Sequence, residues 1–373
     1  MKHEDIKLIL NNDEYIGKEI TVCGWIRAIR KNKSILFLEI NDGTSLKNLQ
    51  LVVDYALITT EKLFSKLSIG SSIAVNGIVV NSINSSQKIE LEVKEIKLLG
   101  KCPNDYPIQR KKQNMEYLRN YPHLRTRTNT FNAAFRIRSM LIKYIHDYFQ
   151  EHNYIYVNTP IITGSNCEGA GEMFRVTTHD LDKLSKEPYD ANLNSKDFFG
   201  KKVNLTISGQ LEAEAMACSL GKVYTFGPSF RAENSNTKKH AAEFWLFEPE
   251  MAFADLNEEM NVADELLKNV FKRILCNCSQ EIDFFTNFYD SNLLNKLNNV
   301  VESKFPVLEY SDVINILQSS EIGFEFPIYM GCDLKSEHIR YLTDVVFKKP
   351  IYIINYPRDL KPFYVKINND GKT

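Results

Sequence analysis

Five strand-like segments follow one another between about residues 18 and 100, and a run of that kind has few ways to hide its apolar side. Ile20 to Arg27 alternates apolar and polar residues and is rich in β-branched side chains; Ile35 to Ile40 repeats the pattern, and Asn41-Asp42-Gly43 follows as a hairpin-turn signal. Leu49 to Val53, Ser72 to Val80 and Lys88 to Val93 supply three more strands, with a short helix expected before the second of them. Such a series fits a small closed barrel, the OB type included, because closure removes the unpaired edges that an open sheet presents to other chains.

Past this region the rhythm changes. Residues 101–128 are polar, contain Pro103, Pro107 and Pro122, and show weak periodicity, which reads as a hinge. Phe131, Ala134, Phe135, Ile137, Leu141, Ile145, Tyr148 and Phe149 then mark one apolar face of a long helix. An extended segment holding Pro160 spans 157–162, and 180–202 reads as an exposed polar insertion. Val203 to Ser208, Val223 to Phe226 and Phe244 to Phe253 read as strands. A helix opens at Asp255 with Glu258 three residues on, the spacing of a capping box, and carries Met260, Ala263, Leu266, Leu267, Val270, Phe271 and Ile274 on one face. Helices are expected over 311–317 and 336–347, and a strand over 351–354. Strands and helices that alternate without a βαβ rhythm favour an α+β fold around an antiparallel sheet. The expected organisation is a barrel domain over 1–100, a hinge over 101–128 and an α+β domain over 129–373.

Net charge gives no hint of a polyanionic partner, since 46 Lys and Arg face 47 Asp and Glu; any nucleic-acid footprint has to be local. Basic residues gather at Gln109-Arg110-Lys111-Lys112 and at Arg119, Arg125 and Arg127, where a solvated charged surface fits as well. The seven cysteines form no CxxC and no zinc-ligand spacing, which suits a reducing compartment. The first ten residues lack the apolar core of a signal peptide and no stretch is long enough to span a bilayer, so a cytoplasmic protein with no membrane partner is expected.

The stretch most charged with chemistry runs from Tyr224 to Phe244: a strand, a loop rich in Asn, Ser and Thr, and a returning strand. Arg231 stands at the strand end, Glu233 two residues later, and His240 shortly before the return at Phe244. A guanidinium fork grips phosphate, a carboxylate accepts from an exocyclic amine, and a ring face stacks on a base. These are the parts of an ATP site without a P-loop, and the sequence has neither GxxxxGK[ST] nor GxGxxG. From the residues alone, a solvated polar hairpin remains open.

Some twenty residues of this stretch resemble, in order, motif 2 of the class II aminoacyl-tRNA synthetases in the form shared by the aspartyl and asparaginyl enzymes. The resemblance implies an N-terminal OB-fold anticodon-binding domain, a class II antiparallel-sheet catalytic domain, ATP as substrate, Mg²⁺ as cofactor and a homodimer. It implies that Arg231 holds the α-phosphate and the activated carbonyl, Glu233 the adenine amino group, His240 the γ-phosphate, and that Phe244 stacks on adenine. Asn166-Cys-Glu168-Gly-Ala-Gly-Glu172 and Ser208-Gly-Gln210-Leu-Glu212 look like asparaginyl signatures, and Ala232-Glu-Asn234-Ser agrees with them. By that likeness Glu168 and Gln210 contact the α-ammonium of asparagine; as plain residues they also fit an N-cap before a glycine turn and a surface glutamine. Pro160 resembles motif 1, which builds the dimer interface, and fits an edge-strand proline equally. In the barrel, Phe37 and Gln50 look like anticodon-contacting positions, one stacking and one reading a base edge, with a barrel-core Phe37 as the other reading. Glu92 is a weaker candidate of the same kind, and Arg27 and Lys47 are candidates for phosphate contacts.

The resemblance runs from about residue 18 to Thr373. It implies that the acidic Mg²⁺ ligands, an arginine for the substrate side chain and motif 3 lie beyond Thr373, so that no metal site is expected in this chain and its catalytic sheet is expected to be C-terminally incomplete. A fragment, a frameshifted or short gene product and a degenerate paralogue are the three explanations. The expected activity is asparagine–tRNA ligation with tRNA(Asn). An aspartyl enzyme, including a non-discriminating one, and a catalytically inactive RNA-binding protein are the alternatives; a synthetase-derived asparagine synthetase is disfavoured because it lacks the barrel.

Overall fold

A computed structural model describes residues 2–55, 66–82, 87–103, 105–109, 113–167, 172–186, 192–234 and 240–373. It divides into two compact units, Met1–Met140 with Ile274–Leu294, and Leu141–Arg273 with Asn295–Thr373.

In the first unit, β1 (Glu19–Lys31), β2 (Ile35–Asn41), β3 (Leu49–Asp54), β4 (Ser72–Asn81) and β5 (Ile89–Gly100) close a barrel in the order β1-β2-β3-β5-β4, with only β3 and β5 parallel. The alternation in the sequence is the cause. Val22, Ile26, Leu36, Leu38, Ile40, Leu49, Leu51, Val53, Val75, Leu91 and Val93 all point inward and are buried, while their neighbours face out. Ile6 and Ile9 of α1 (Ile6–Asn11) join the same core. Asn41-Asp42-Gly43 does not make a tight hairpin. A loop over 42–48 separates the strands because Asp42 is engaged elsewhere: its carboxylate accepts from Ile6 N at 2.8 Å and from Thr44 N at 2.8 Å, holding the start of α1. Gly77 sits at a register shift where β4 crowds β5; a Cβ there would lie 2.2 Å from the Glu92 carbonyl oxygen.

The first unit also holds α2 (Met115–Arg119), the start of α3 (Asn129–Glu151) and, later in sequence, α7 (Ser279–Phe288). The burial of α3 departs from the expected stripe. Ala133, Tyr144, Ile145, Tyr148 and Phe149 are buried, but Ala134 is exposed and Phe135 is 47% exposed. The two halves of this helix belong to different units, with the break after Met140.

The second unit is built on a sheet of β11 (Glu243–Met251), β10 (Lys222–Phe230) and β6 (Ile155–Tyr156), with β10 antiparallel to β11 and parallel to β6. A smaller sheet orders β7 (Ile162–Thr163), β9 (Val203–Leu205) and β8 (Arg175–Val176). Helix α4 (Leu181–Leu184) lies in the polar insertion, α5 (Gln210–Leu220) packs on β10 and β11, and α6 (Leu256–Asn277) follows them. At the head of α6 the expected capping box is formed: Glu258 N donates to Asp255 Oδ1 at 3.0 Å and Asp255 N to Glu258 Oε2 at 3.1 Å. Beyond α8 (Leu293–Glu302), β12 (Val307–Glu309) pairs in parallel with β13 (Tyr352–Ile354), beside α9 (Tyr310–Gln318) and a core of Val313, Leu317 and Leu342. The helix expected over 336–347 is α-helical only in α10 (Ser336–Arg340) and widens to π-type turns over Tyr341–Val346.

Candidate active site and nucleic-acid face

The β10–β11 register decides which side chains of the polar hairpin meet. Phe230 pairs with Glu243 and Ser229 with Phe244, and Arg231 N donates to Ala242 O at 3.1 Å, so the strands stay together up to the mouth of the loop. The guanidinium of Arg231 then lies 5.4 Å from the centre of the Phe244 ring. That contact holds a planar cation beside a ring face, the two surfaces a phosphate and a flat base require. Farther out, His240 Nε2 stands 3.9 Å from Glu233 Oε2, both side chains being well exposed. The predicted four thus fall into two couples, one at the strand end and one on the loop.

Gln210 reaches the same region by another route. Phe230 N donates to Thr206 O at 2.8 Å, fastening the end of β9 to the end of β10. From there Ser208-Gly209-Gln210 turns into α5. The Gln210 amide nitrogen donates to Glu214 Oε1 at 2.9 Å, and its backbone N–H to Ser208 Oγ at 3.1 Å. Gly209 is wedged: a Cβ would lie 2.4 Å from Thr159 Oγ1 and 3.0 Å from Thr225 Cγ2. Glu168 lies outside the described residues. Pro160 is exposed, beside Ile161 and Ile162 at 44% and 42% exposure.

Two carboxylates that sequence reading passed over complete this face. Along β11, Phe244, Leu246, Glu248 and Glu250 share one side by strand alternation. Glu248 accepts from Gly209 N at 3.0 Å and from the Ser208 hydroxyl, bracing the turn that carries Gln210. Four steps along the strand separate it from Phe244, roughly 13 Å. Burial pushes the Glu250 carboxyl up from its ordinary 4.5 to about 7, helped by the nearby charges of Glu214, Glu248 and Glu259. The signal was present in Glu248-Pro-Glu250, acidic residues at alternate positions of a strand whose neighbours are apolar. Among the described residues no group of three or more His, Cys, Asp or Glu is arranged to hold a metal ion.

The barrel carries its candidates on its outer wall. Phe37 is half-buried and faces away from Leu36 and Leu38, which point into the core. Register places Arg30 opposite Phe37, Phe37 opposite Val52, and Val52 opposite Glu92, giving one row across four strands. In the adjoining row Glu39 faces Gln50. Gln50 is 8% exposed and its Oε1 accepts from Arg30 Nη2 at 3.0 Å; Arg30 also lies 3.6 Å from Glu39 Oε1. With its carbonyl oxygen so engaged, the Gln50 amide is fixed in one orientation. Arg30 was not among the predicted residues, although its place opposite Phe37 follows from strand pairing. Arg27 donates instead to the Arg127 carbonyl oxygen and, at 3.0 Å, to Asn129 Oδ1.

With both faces described, comparison with known proteins decides the family. Residues 20–99 match the profile of the OB-fold nucleic acid binding domain, and residues 114–373 match that of the class II tRNA synthetases (D, K and N). The asparagine–tRNA ligase of Clostridium kluyveri is 49% identical over 366 residues, 98% of this chain and 79% of that one. The chain belongs to the asparagine–tRNA ligase family. A family member from Clostridium perfringens is 50% identical over the same shares of the two chains. The crystal structure of asparaginyl-tRNA synthetase from Pyrococcus horikoshii complexed with asparaginyl-adenylate superposes with a TM-score of 0.83 at 28% identity, covering 99% of this chain and 78% of that one. The fold of this ligase-family chain is therefore an OB barrel followed by a class II synthetase domain. No helix among the described residues is long and apolar enough to cross a membrane.

Proposed function

We propose that the protein activates L-asparagine with ATP and transfers it to tRNA(Asn) in the cytoplasm. The observation that carries this reading is the Arg231–Phe244 pair at the mouth of a hairpin whose β11 strand also holds, through Glu248, the turn presenting Gln210. Adenine stacks on Phe244 with its amino group at Glu233, the γ-phosphate lies at His240, and Arg231 grips the α-phosphate. Gln210 and Glu168 take the α-ammonium. The asparagine carboxylate oxygen attacks the α-phosphorus, the bond to pyrophosphate breaks, and Arg231 stabilises the charge that develops on the phosphoryl oxygens. In the second step the terminal ribose hydroxyl of the tRNA attacks the activated carbonyl and AMP leaves. Mg²⁺ would neutralise phosphate charge, but the described residues do not make a site that fits it, and no step here depends on it.

In the same reading the domain over 1–100 binds the anticodon, 101–128 is the hinge, and 129–373 carries catalysis. Phe37 stacks on an anticodon base while Gln50, fixed by Arg30, reads a base edge with its amide N–H. Pro160, with exposed Ile161 and Ile162, forms part of a homodimer interface. The deciding experiment is ATP–pyrophosphate exchange by the full-length protein with asparagine or aspartate as sole amino acid. Exchange is expected with asparagine only; equal turnover with aspartate would overturn the assignment.

A further inference from the structure

Within the first unit, the outer side of β1 and β2, residues 106–109 and 113–132, and α7 enclose a cavity of about 530 Å³. That volume falls in the range of small-ligand sites. Its wall offers the rings of Trp25, Tyr106, Phe284, Phe288 and Tyr289, of which Trp25, Phe288 and Tyr289 are 51%, 60% and 52% exposed. Phe284 packs against Phe288 with centres 5.0 Å apart. Carboxamides of Asn48, Gln109 and Gln113 stand among the rings.

Charge on the lining is one-sided. Arg27 and Arg127 face the cavity against a single carboxylate, Glu39, which already accepts from Asn48 Nδ2 at 3.1 Å and lies 3.6 Å from Arg30. The wall is also set in advance. Arg27 is fastened to Asn129 at 3.0 Å, and Arg127 donates to Tyr106 Oη at 3.3 Å while lying 5.6 Å from that ring's centre.

We propose that this cavity receives a nucleobase, its ring against the aromatic wall and its phosphate toward the two guanidinium groups. A hydrocarbon ligand would leave the two guanidinium charges without an anion, and a small anion would leave the rings unused. A nucleotide brings a flat face, a hydrogen-bonding edge and negative charge together. Glu39 and Asn48 belong both to this wall and to the network that orients Gln50. An RNA strand read at Phe37 and Gln50 therefore has its next foothold here, so the base is one that flanks the anticodon bases in the bound tRNA. The inference rests on the tRNA reading proposed above.

The sequence contains two tryptophans, Trp25 and Trp245, so Trp245→Phe leaves Trp25 as the sole reporter on the cavity wall. Titrating that variant with a tRNA(Asn) transcript should quench Trp25 fluorescence saturably. Phe288→Ala, a change at an exposed ring, should weaken transcript binding about tenfold. Quenching by GMP, AMP, CMP or UMP as well would show that the site also takes a free nucleotide; quenching by the transcript alone assigns it to RNA, and either result supports the proposal. A Trp25 signal that neither transcript nor mononucleotide moves, with Phe288→Ala binding the transcript as tightly as the parent, overturns it. Phe37→Ala separates the two readings: if it weakens transcript binding while Phe288→Ala does not, only the cavity proposal falls, and if it leaves binding intact, the anticodon reading falls first.

Discussion

The barrel and the β10–β11 hairpin present their chemistry in opposite ways. On the barrel, the candidates stand on adjacent strands whose partners are fixed by pleat and register, so that Arg30, Phe37, Val52 and Glu92 form a row without any loop taking part. At the hairpin, only Arg231 and Phe244 are set by pairing; Glu233 and His240 stand on the loop and Gln210 arrives from a separate turn. One face is set by strand register, with Arg30 tying Gln50 and Glu39 into a small network. The other is a convergence of three segments, where a change in one is felt by the rest.

That contrast can be broken by mutation. Arg231→Ala should lower ATP–pyrophosphate exchange of the full-length protein about a thousandfold, as loss of a charge-stabilising donor does, while leaving tRNA binding within twofold. A parallel loss of tRNA binding would mean that the two faces are not separable. On the barrel the test is a pair of neighbours. Leu38→Ala, inside, should cost about 2–5 kcal/mol in denaturant melts. Phe37→Ala, outside, should cost less than about 1 kcal/mol yet weaken transcript binding by roughly tenfold. Equal destabilisation by both would return Phe37 to the core.

Next in size comes Glu250. Its carboxyl in the fold titrates near 7 against an ordinary 4.5, so ionising it works against the folded state. The fold holds this advantage in full below about pH 4.5 and loses it as pH rises through about 7. Glu250→Gln should therefore be the more stable protein at pH 8, by on the order of 2 kcal/mol, and match the parent near pH 4.5. Parent and variant melts that stay parallel across this range would remove the carboxylate cluster as a source of tension. The smallest effect belongs to the exposed Glu233–His240 contact. His240→Ala should shift stability by less than about 1 kcal/mol while lowering exchange, since surface ion pairs contribute little to folding. A large drop in melting temperature would show that the couple serves the fold.

The legible parts of the molecule were those written in periodicity. Alternation in β1 to β5 gave the barrel and turned Phe37 outward, and Asp255 with Glu258 marked the head of α6 to the residue. What stayed hidden needed contacts across the chain. Asp42 looked like a turn residue until its carboxylate was seen holding Ile6 N, thirty-six positions away. Phe135 fits the helical stripe of its neighbours, yet it is 47% exposed, because periodicity names a face and does not say what covers it. Glu248 and Glu250 read as ordinary strand polarity because a strand pattern names a face, and does not say that a neighbouring turn will bring backbone N–H groups to it. Arg30 was within reach, since pairing Ile35 to Ile40 with the preceding strand already sets it across from Phe37.

The wedge at Gly209 sets a rule for how this lineage can vary. Thr159, Thr225 and the glycine between them leave no slack for even one methyl group. A side chain at position 209 has to wait for smaller residues at Thr159 and Thr225, so the glycine cannot change before its neighbours do.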